Sequence, residues 1–246
     1  MKPNKLYGLH SVKAVLDYSP QQMTKAWFDG QRQDARLQTI VTALQALGIE
    51  PIKTDRKKLD SYADGNNHQG IVVEVLLPEL LTEADLKDKL AVLEKPALFL
   101  VLDQVQDPHN LGACLRSCDA AGVDGVIIPK DNAVAMTPTV CKVASGAAET
   151  VPVYQVTNLA RCLRLLKQQG LWLIGAAGEA EQTLYQVDLT VPVALVIGAE
   201  DKGMRRLTRE HCDVLVKLPM FGRVESLNLS VAAGVFLYEA VRQRLA

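Results

Sequence analysis

Residues 97–129 read ALFLVLDQVQDPHNLGACLRSCDAAGVDGVIIP, and the fold turns on this stretch. ALFLVL (97–102) and GVIIP (125–129) are short apolar runs without polar alternation. That is the pattern of strands buried on both faces of a parallel sheet. A helix is predicted between them over 110–121. The unit recurs downstream, with strands expected at LWLIGA (171–176), VALVIG (193–198) and VLVKL (214–218). Further helices are predicted at 137–146, 158–169 and about 227–244. Strands alternating with helices predict an α/β sheet with right-handed crossovers.

Upstream, residues 1–75 read as a smaller α/β unit. A helix pattern starts after Ser11 (Val12, Val15, Leu16), and a short strand, Ala26-Trp27-Phe28, precedes the turn Asp29-Gly30. A second helix is expected over about 35–47, with Leu37, Ile40, Val41 and Leu44 on one face and Gly48 as its stop. The run GIVVEV (70–75) closes the unit. Residues 76–96 contain Pro78, Pro96 and the capping-box pattern Thr82-x-x-Asp85, and read as a linker with one short amphipathic helix. The expected organisation is therefore 1–75, a linker at 76–96, and 97–246.

Composition narrows the function. With 246 residues, 48% apolar and 22% charged, the chain has enough apolar content for a real core, which excludes a disordered, collagenous or small disulfide-stapled protein. The net charge of −1 speaks against a polycation that coats nucleic acid, yet residues 1–75 hold 10 Lys+Arg against 8 Asp+Glu. Five cysteines without a regular framework, no secretory signal pattern and no apolar run near ~20 residues predict a reduced, cytoplasmic protein without membrane spans.

The usual cofactor signatures are missing. Gly198-Ala-Glu-Asp-Lys-Gly203 is followed by Met204-Arg205 where a phosphate-binding loop needs Lys-Ser/Thr, and no G-x-G-x-x-G or G-x-S-x-G is present. His10, His68, His109 and His211 are scattered, and Cys114 and Cys118 read as buried hydrophobes of one helix face, so no metal is expected.

Three polar clusters follow buried strands, where open α/β sheets place ligands. The first, 103–116, offers Asn110 as a candidate helix cap, Gly112 for close approach, and Arg116 one to two turns further on. The second is 198–203, with two glycines and two carboxylates. The third joins Pro219 and Gly222 to Ser226 and Asn228 at a helix start. Each alone suits an ordinary cap or turn. Free N–H groups at a helix start also suit a carboxylate or ribose.

In this order and spacing, NLGACLRSCDAAG, VIGAEDKGM and LPMFGRVESLNLSVAAGVFLYE resemble the three signature motifs of the SpoU/TrmH family of RNA ribose 2′-O-methyltransferases, in the SPOUT superfamily. The match spans about residues 97–244. YGLHSVKAVL through HQGIVVEV is similar to the small substrate-binding domain of such enzymes, an L30e-like α/β fold. The resemblance implies a C-terminal α/β domain with a deep trefoil knot, a homodimer, and S-adenosylmethionine bound in the knot. It implies Gly198, Leu218, Leu227, Ala176 and Ala177 around the cofactor. It implies Arg116, Asn110, Glu200, Ser226 and Asn228 as catalytic or positioning residues. The implied target is a guanosine ribose in the peptidyl-transferase loop of 23S rRNA.

A guanidinium stays protonated under ordinary conditions, so Arg116 has two possible roles. Either it is transiently deprotonated as the base, or it stabilises the developing alkoxide while phosphate or solvent takes the proton. Arg56-Lys57-Lys58 and Asn66-Asn67-His68 are further polar features that could meet RNA backbone. Competing readings are a tRNA methyltransferase of the same family, a non-catalytic RNA-binding assembly factor, and a nucleotide-binding metabolic enzyme.

Overall fold

A computed structural model of the chain describes residues 2–18, 20–93 and 96–245. The chain divides into two compact units. The first runs through Glu79 and includes Met136–Lys142; the second comprises Leu80–Ala135 and the chain from Val143 onward.

The first unit contains β1 (Lys2–Tyr7), α1 (Leu9–Tyr18), β2 (Met23–Asp29), α2 (Ala35–Ala46), β3 (Ile52–Thr54), α3 (Arg56–Tyr62) and β4 (Ile71–Leu77). Its sheet has the order β1-β4-β2-β3, with β4 antiparallel to both neighbours and β3 parallel to β2. The helix predicted at 35–47 forms with Asp34 as its cap, accepting from Arg36 N, and buries Leu37, Ile40, Val41 and Leu44. β1, β3 and α3 fall outside the sequence expectation. β1 (KPNKLY) carries no apolar alternation and is held as an edge strand by its pairing with β4.

The chain continues with α4 (Glu83–Ala91), β5 (Leu98–Leu102), α5 (Pro108–Ala121) and β6 (Gly125–Pro129) of the second unit, α6 (Pro138–Ala144), which belongs to the first unit through Lys142, and α7 (Ala147–Thr150) and β7 (Val153–Val156) of the second. Then follow α8 (Leu159–Gln168), β8 (Trp172–Ala176), β9 (Gln182–Thr183), β10 (Val193–Ile197), α9 (Arg206–His211), β11 (Val214–Lys217) and α10 (Leu229–Leu245). Seven strands form a parallel sheet in the order β7-β6-β5-β10-β8-β11-β9. Every residue of β5, β6 and β10 is buried, the physical reason for their unbroken apolar runs.

One face of this sheet packs Phe99, Val101 and Tyr154 against Leu163 and Leu166 of α8 and Leu86 and Leu90 of α4. The Thr82–Asp85 capping box forms as predicted. Residues 80–91 are nevertheless part of this core rather than a free connection: Leu81 N donates to Val153 O and Leu81 O accepts from Gln155 N, both at 2.8 Å. Glu94 and Lys95 of the expected linker lie outside the described residues.

Strand order runs outward in opposite directions from the β5/β10 pair. In a parallel sheet that reversal opens a crevice at the strands' C-terminal ends. Asp103 follows β5 there, and Gly198 follows β10.

Candidate functional site

The loop after β10 folds back on itself. Ala199 and Gly203 exchange two backbone hydrogen bonds (3.1 and 2.9 Å), and Gly203 takes a left-handed φ of +63°. A Cβ on Gly198 would lie 2.1 Å from both the Gly203 carbonyl carbon and Met204 N, so only glycine fits. The far end of the loop is clamped from β5. Asp103, fully buried, accepts from Arg205 N (2.9 Å), Arg205 Nε (2.7 Å) and Arg205 Nη2 (2.7 Å). Asp103 N in turn donates to Ile197 O at 2.8 Å.

This loop presents Glu200 to the starts of two helices. Glu200 Oε1 accepts from Asn110 Nδ2 (3.2 Å), from Leu229 N (3.0 Å) and from Asn228 Nδ2. Asn228 Nδ2 also donates to Asn110 Oδ1 at 2.9 Å. The amide orientations are set by α10. Asn228 Oδ1 accepts from Ser230 N (3.0 Å), Ser230 Oγ (2.6 Å) and Val231 N (3.3 Å), so its Nδ2 must face Asn110 and Glu200. Asn110 Oδ1 is then the acceptor and its Nδ2 the donor toward Glu200. The three sequence clusters meet in this one network.

Two details differ from the sequence reading. Asn110 does not cap its helix: Asp107 does, accepting from His109 N at 2.8 Å with Pro108 at the first helical position. Asn110 lies in the first turn, buried, which frees its amide for Glu200. The cap of α10 is Asn228, so Ser226 stands two residues before it, exposed.

Two clefts flank Glu200. One, of about 200 Å³, is lined by Ala176, Ala177, Gly198, Leu218, Ser226 and Leu227, with Ile197, Val216 and Phe236 as further apolar walls. The other, of about 240 Å³, is more polar, with Gln104, Asp107, Asn110 and Lys202 around it. Ala199, Glu200 and Leu229 line both. Phe236, Ile197 and Val216 escaped the sequence reading because an apolar residue in a strand or helix reads as core. Asp103 and Arg205 escaped it because their partnership spans 102 positions.

Arg116 stands apart. It is exposed on α5, lines neither cleft, and among the described residues makes no hydrogen bond or ion pair. Its neighbourhood carries exposed apolar surface. Gly234 of α10 faces Ser117, and Val231 and Tyr238, seven residues apart and hence on one helix face with Gly234, are each more than half exposed.

Three buried cysteines have little thiolate character. Burial pushes the Cys114 and Cys162 thiols up to about 12, and Cys118, beside Cys114, well above its ordinary value. Among the described residues no His/Cys/Asp/Glu group is arranged to hold a metal ion, and no helix is long and apolar enough to cross a membrane.

An apolar cleft and a more polar one, sharing Glu200, open at the C-terminal edge of a parallel sheet, the place where open α/β proteins bind their ligands. The chain belongs to the SpoU rRNA methylase family, whose model matches residues 97–238. A model described as RNA 2′-O ribose methyltransferase substrate binding matches residues 5–80. The chain is 56% identical to a Vibrio parahaemolyticus protein over 98% of its own length and 97% of the relative's. It is 53% identical to one from Shewanella oneidensis, with 99% and 98% covered. Both relatives are named 23S rRNA (guanosine-2′-O-)-methyltransferase RlmB. Among solved structures, an RNA 2′-O ribose methyltransferase is similar at 27% identity and a TM-score of 0.62, covering 99% of this chain and 90% of that one. The methyltransferase AviRb of Streptomyces viridochromogenes, crystallised with AdoMet, shares the fold at 22% identity and a TM-score of 0.63, with 99% and 91% covered.

Proposed function

We propose that this chain transfers a methyl group from S-adenosylmethionine to the 2′-oxygen of a guanosine ribose in 23S rRNA. The observation that carries the reading is the Asn110–Glu200–Asn228 network standing between an apolar and a more polar cleft. Full-length likeness to two proteins named for this reaction supports the substrate.

The apolar cleft suits the cofactor. Ala176, Ala177, Leu218 and Leu227 offer small and aliphatic contacts for a purine, and the sharp turn at Gly198 brings backbone to its edge. Once bound, the cofactor supplies an activated methyl on a sulfonium, so the protein's task is alignment and handling of one proton. Asn110 and Asn228 hold the Glu200 carboxylate at the boundary of the two clefts, where the ribose enters from the polar side. Ser226 lies on the cofactor side and contributes a hydroxyl.

Arg116 is the cation of the reaction, either as the base or as a stabiliser of the forming alkoxide. Because it lines neither cleft, we take it to act in a homodimer packed through the Val231–Tyr238 face beside it. A deep trefoil knot is supported by the insertion of β11 between β8 and β9, two strands joined by residues 177–181. The L30e-like first unit serves as the RNA-recognition domain at 1–75, followed by the connection at 76–96 and the methyltransferase domain at 97–246. The enzyme works in the cytoplasm, without a metal.

Transfer of label from S-adenosylmethionine to a 23S rRNA fragment and to tRNA, with the product mapped to nucleotide and atom, tests the reading. The peptidyl-transferase-loop fragment is the first substrate to offer. Label on tRNA alone moves the substrate, and label on neither favours a binding factor. Arg116→Lys is expected to keep RNA binding while transfer falls by roughly 10²–10⁴-fold, the usual weight of one acid–base group. Near-normal turnover defeats both roles for Arg116.

A further inference from the structure

Methyl transfer leaves two polar motifs of the first unit unused, Arg56-Lys57-Lys58 and Asn66-Asn67-His68. Arg56 of the first motif and all three residues of the second line one polar cavity of about 640 Å³, together with Arg32 and Gly70 among others. That volume suits a small ligand such as one nucleotide.

The loop forming its wall turns through four left-handed residues, of which Gln69 is held in a costly conformation. Asp64, Gly65, Gln69 and Gly70 all have left-handed φ (+49°, +76°, +52° and +86°), two of them without being glycine. Strain of this kind persists only where surrounding contacts over-determine it, and it gathers at ligand clamps. Those contacts are specific. His68 Nδ1 accepts from Gly70 N at 3.0 Å, so the ring proton sits on Nε2 and is donated to Asp60 Oδ1, also at 3.0 Å. Gln69 Oε1 accepts from Leu9 N (2.9 Å), the first residue of α1. His68 O accepts from Gly8 N and Ile71 N, both at 3.1 Å. Gly70 has Arg32 folded over it, for a Cβ there would lie 2.8 Å from Arg32 Cδ.

His68 and Gln69 are thus anchors that hold the loop, while Asn66 and Asn67 are exposed on it. Arg56 is exposed too and, among the described residues, has no bonded partner. The lining carboxylates are engaged: Asp60 by His68, and Asp29 by Gln31 N at 2.9 Å. Arg32 is held by Asp34 (Nη2 to Oδ2 at 2.7 Å) and Asn66 Nδ2 donates to Ala63 O at 2.8 Å, so Asn67 and Arg56 are the groups left to a ligand, an amide and a guanidinium that together match one nucleotide. Amides pair with base edges, and guanidiniums with phosphate. Bases become available for such reading in single-stranded loops rather than in paired helices.

We propose that this cavity takes one unpaired nucleotide of the substrate RNA, its base edge met by Asn67 and its phosphate by Arg56. The proposal rests on the rRNA reading above and adds the place where the first unit grips the RNA.

The test titrates the full-length chain with a looped 23S rRNA fragment and with a fully paired duplex of equal length. Wild type is compared with Arg56→Ala, Asn67→Ala and the double variant, all changed only at exposed positions. The expected result is roughly tenfold weaker loop binding for each single variant. Arg56→Ala should also lower the slope of log Kd against log salt by about one. The affinity for S-adenosylmethionine, the melting temperature and kcat at saturating RNA should stay unchanged. Double-variant affinity within twofold of wild type, or equal wild-type affinity for duplex and loop, overturns the proposal while leaving methyl transfer intact. Failure of wild type both to bind and to methylate the fragment overturns the functional reading and this proposal with it.

Discussion

The Asp103–Arg205 clamp makes a prediction whose sign follows from exposure alone. Asp103 is 0% exposed, whereas the Arg205 side chain keeps 39% of its surface in water. Removing either partner breaks the same pair of guanidinium bonds, but the survivors differ. Arg205→Ala leaves a carboxylate sealed from solvent with only one backbone N–H still donating to it. Breaking a buried pair in that way costs about 3–5 kcal/mol. Asp103→Ala leaves a guanidinium that water can reach, so the loss is that of charge-assisted hydrogen bonds, about 2 kcal/mol. At about 2–4 °C per kcal/mol for a domain of this size, Arg205→Ala should lower the melting temperature of the second unit by roughly 6–20 °C, and Asp103→Ala by roughly 4–8 °C. The double variant buries no charge, and should therefore be more stable than Arg205→Ala alone. Differential scanning calorimetry on the four proteins measures the cycle. The loop carrying Glu200 is tethered by this pair, so S-adenosylmethionine affinity should fall in the same order. Equal losses for the two single variants, or additive losses in the double, refute the argument.

Asn228→Asp separates capping from the network. Asp caps a helix as well as Asn does, so α10 should persist, but the amide donor to Asn110 and Glu200 becomes an acceptor beside a carboxylate. Destabilisation of about 2 kcal/mol in denaturant titration, with methyl transfer reduced at least about a hundredfold, is the expected outcome; transfer within threefold of wild type contradicts the positioning role. The buried thiols make a pH prediction. Cys114 and Cys162 ionise only near 12 in the folded chain, against about 9 for an ordinary thiol. The folded state thus keeps protons that the unfolded state releases, and the thiols' contribution is intact below pH ~9 and is lost as pH rises from ~9 toward ~12. Urea midpoints should fall across that window, less so in a Cys114→Ala/Cys162→Ala variant. Iodoacetamide at pH 8 should leave both residues unlabelled until the chain unfolds.

Which parts of this architecture could be read from the chain follows from the range of the interactions involved. β5, β6 and β10 are legible because both their faces are buried, and burial on both faces forces consecutive apolar residues. β9, two residues long, and β1, an edge strand, form only because a neighbouring strand is already there, so no local pattern announces them. The same distinction separates the caps. Asp107 followed by Pro108 is a local start signal, and weighting it would have moved the helix start from 110 to 108 and released Asn110 for its actual task. By contrast, Glu200 binds partners 90 positions before it and 28 after it, and Asp103 reaches Arg205 across 102. Spacing in one sequence cannot show such pairings. What it can show is that three polar clusters each follow an apolar strand of the same sheet. Since parallel strands place their C-terminal ends along one edge, clusters that follow strands must share an edge wherever the chain places them in order. The convergence at Glu200 is therefore a consequence of strand direction, while the identity of each bond within it is settled by the helix starts of α5 and α10.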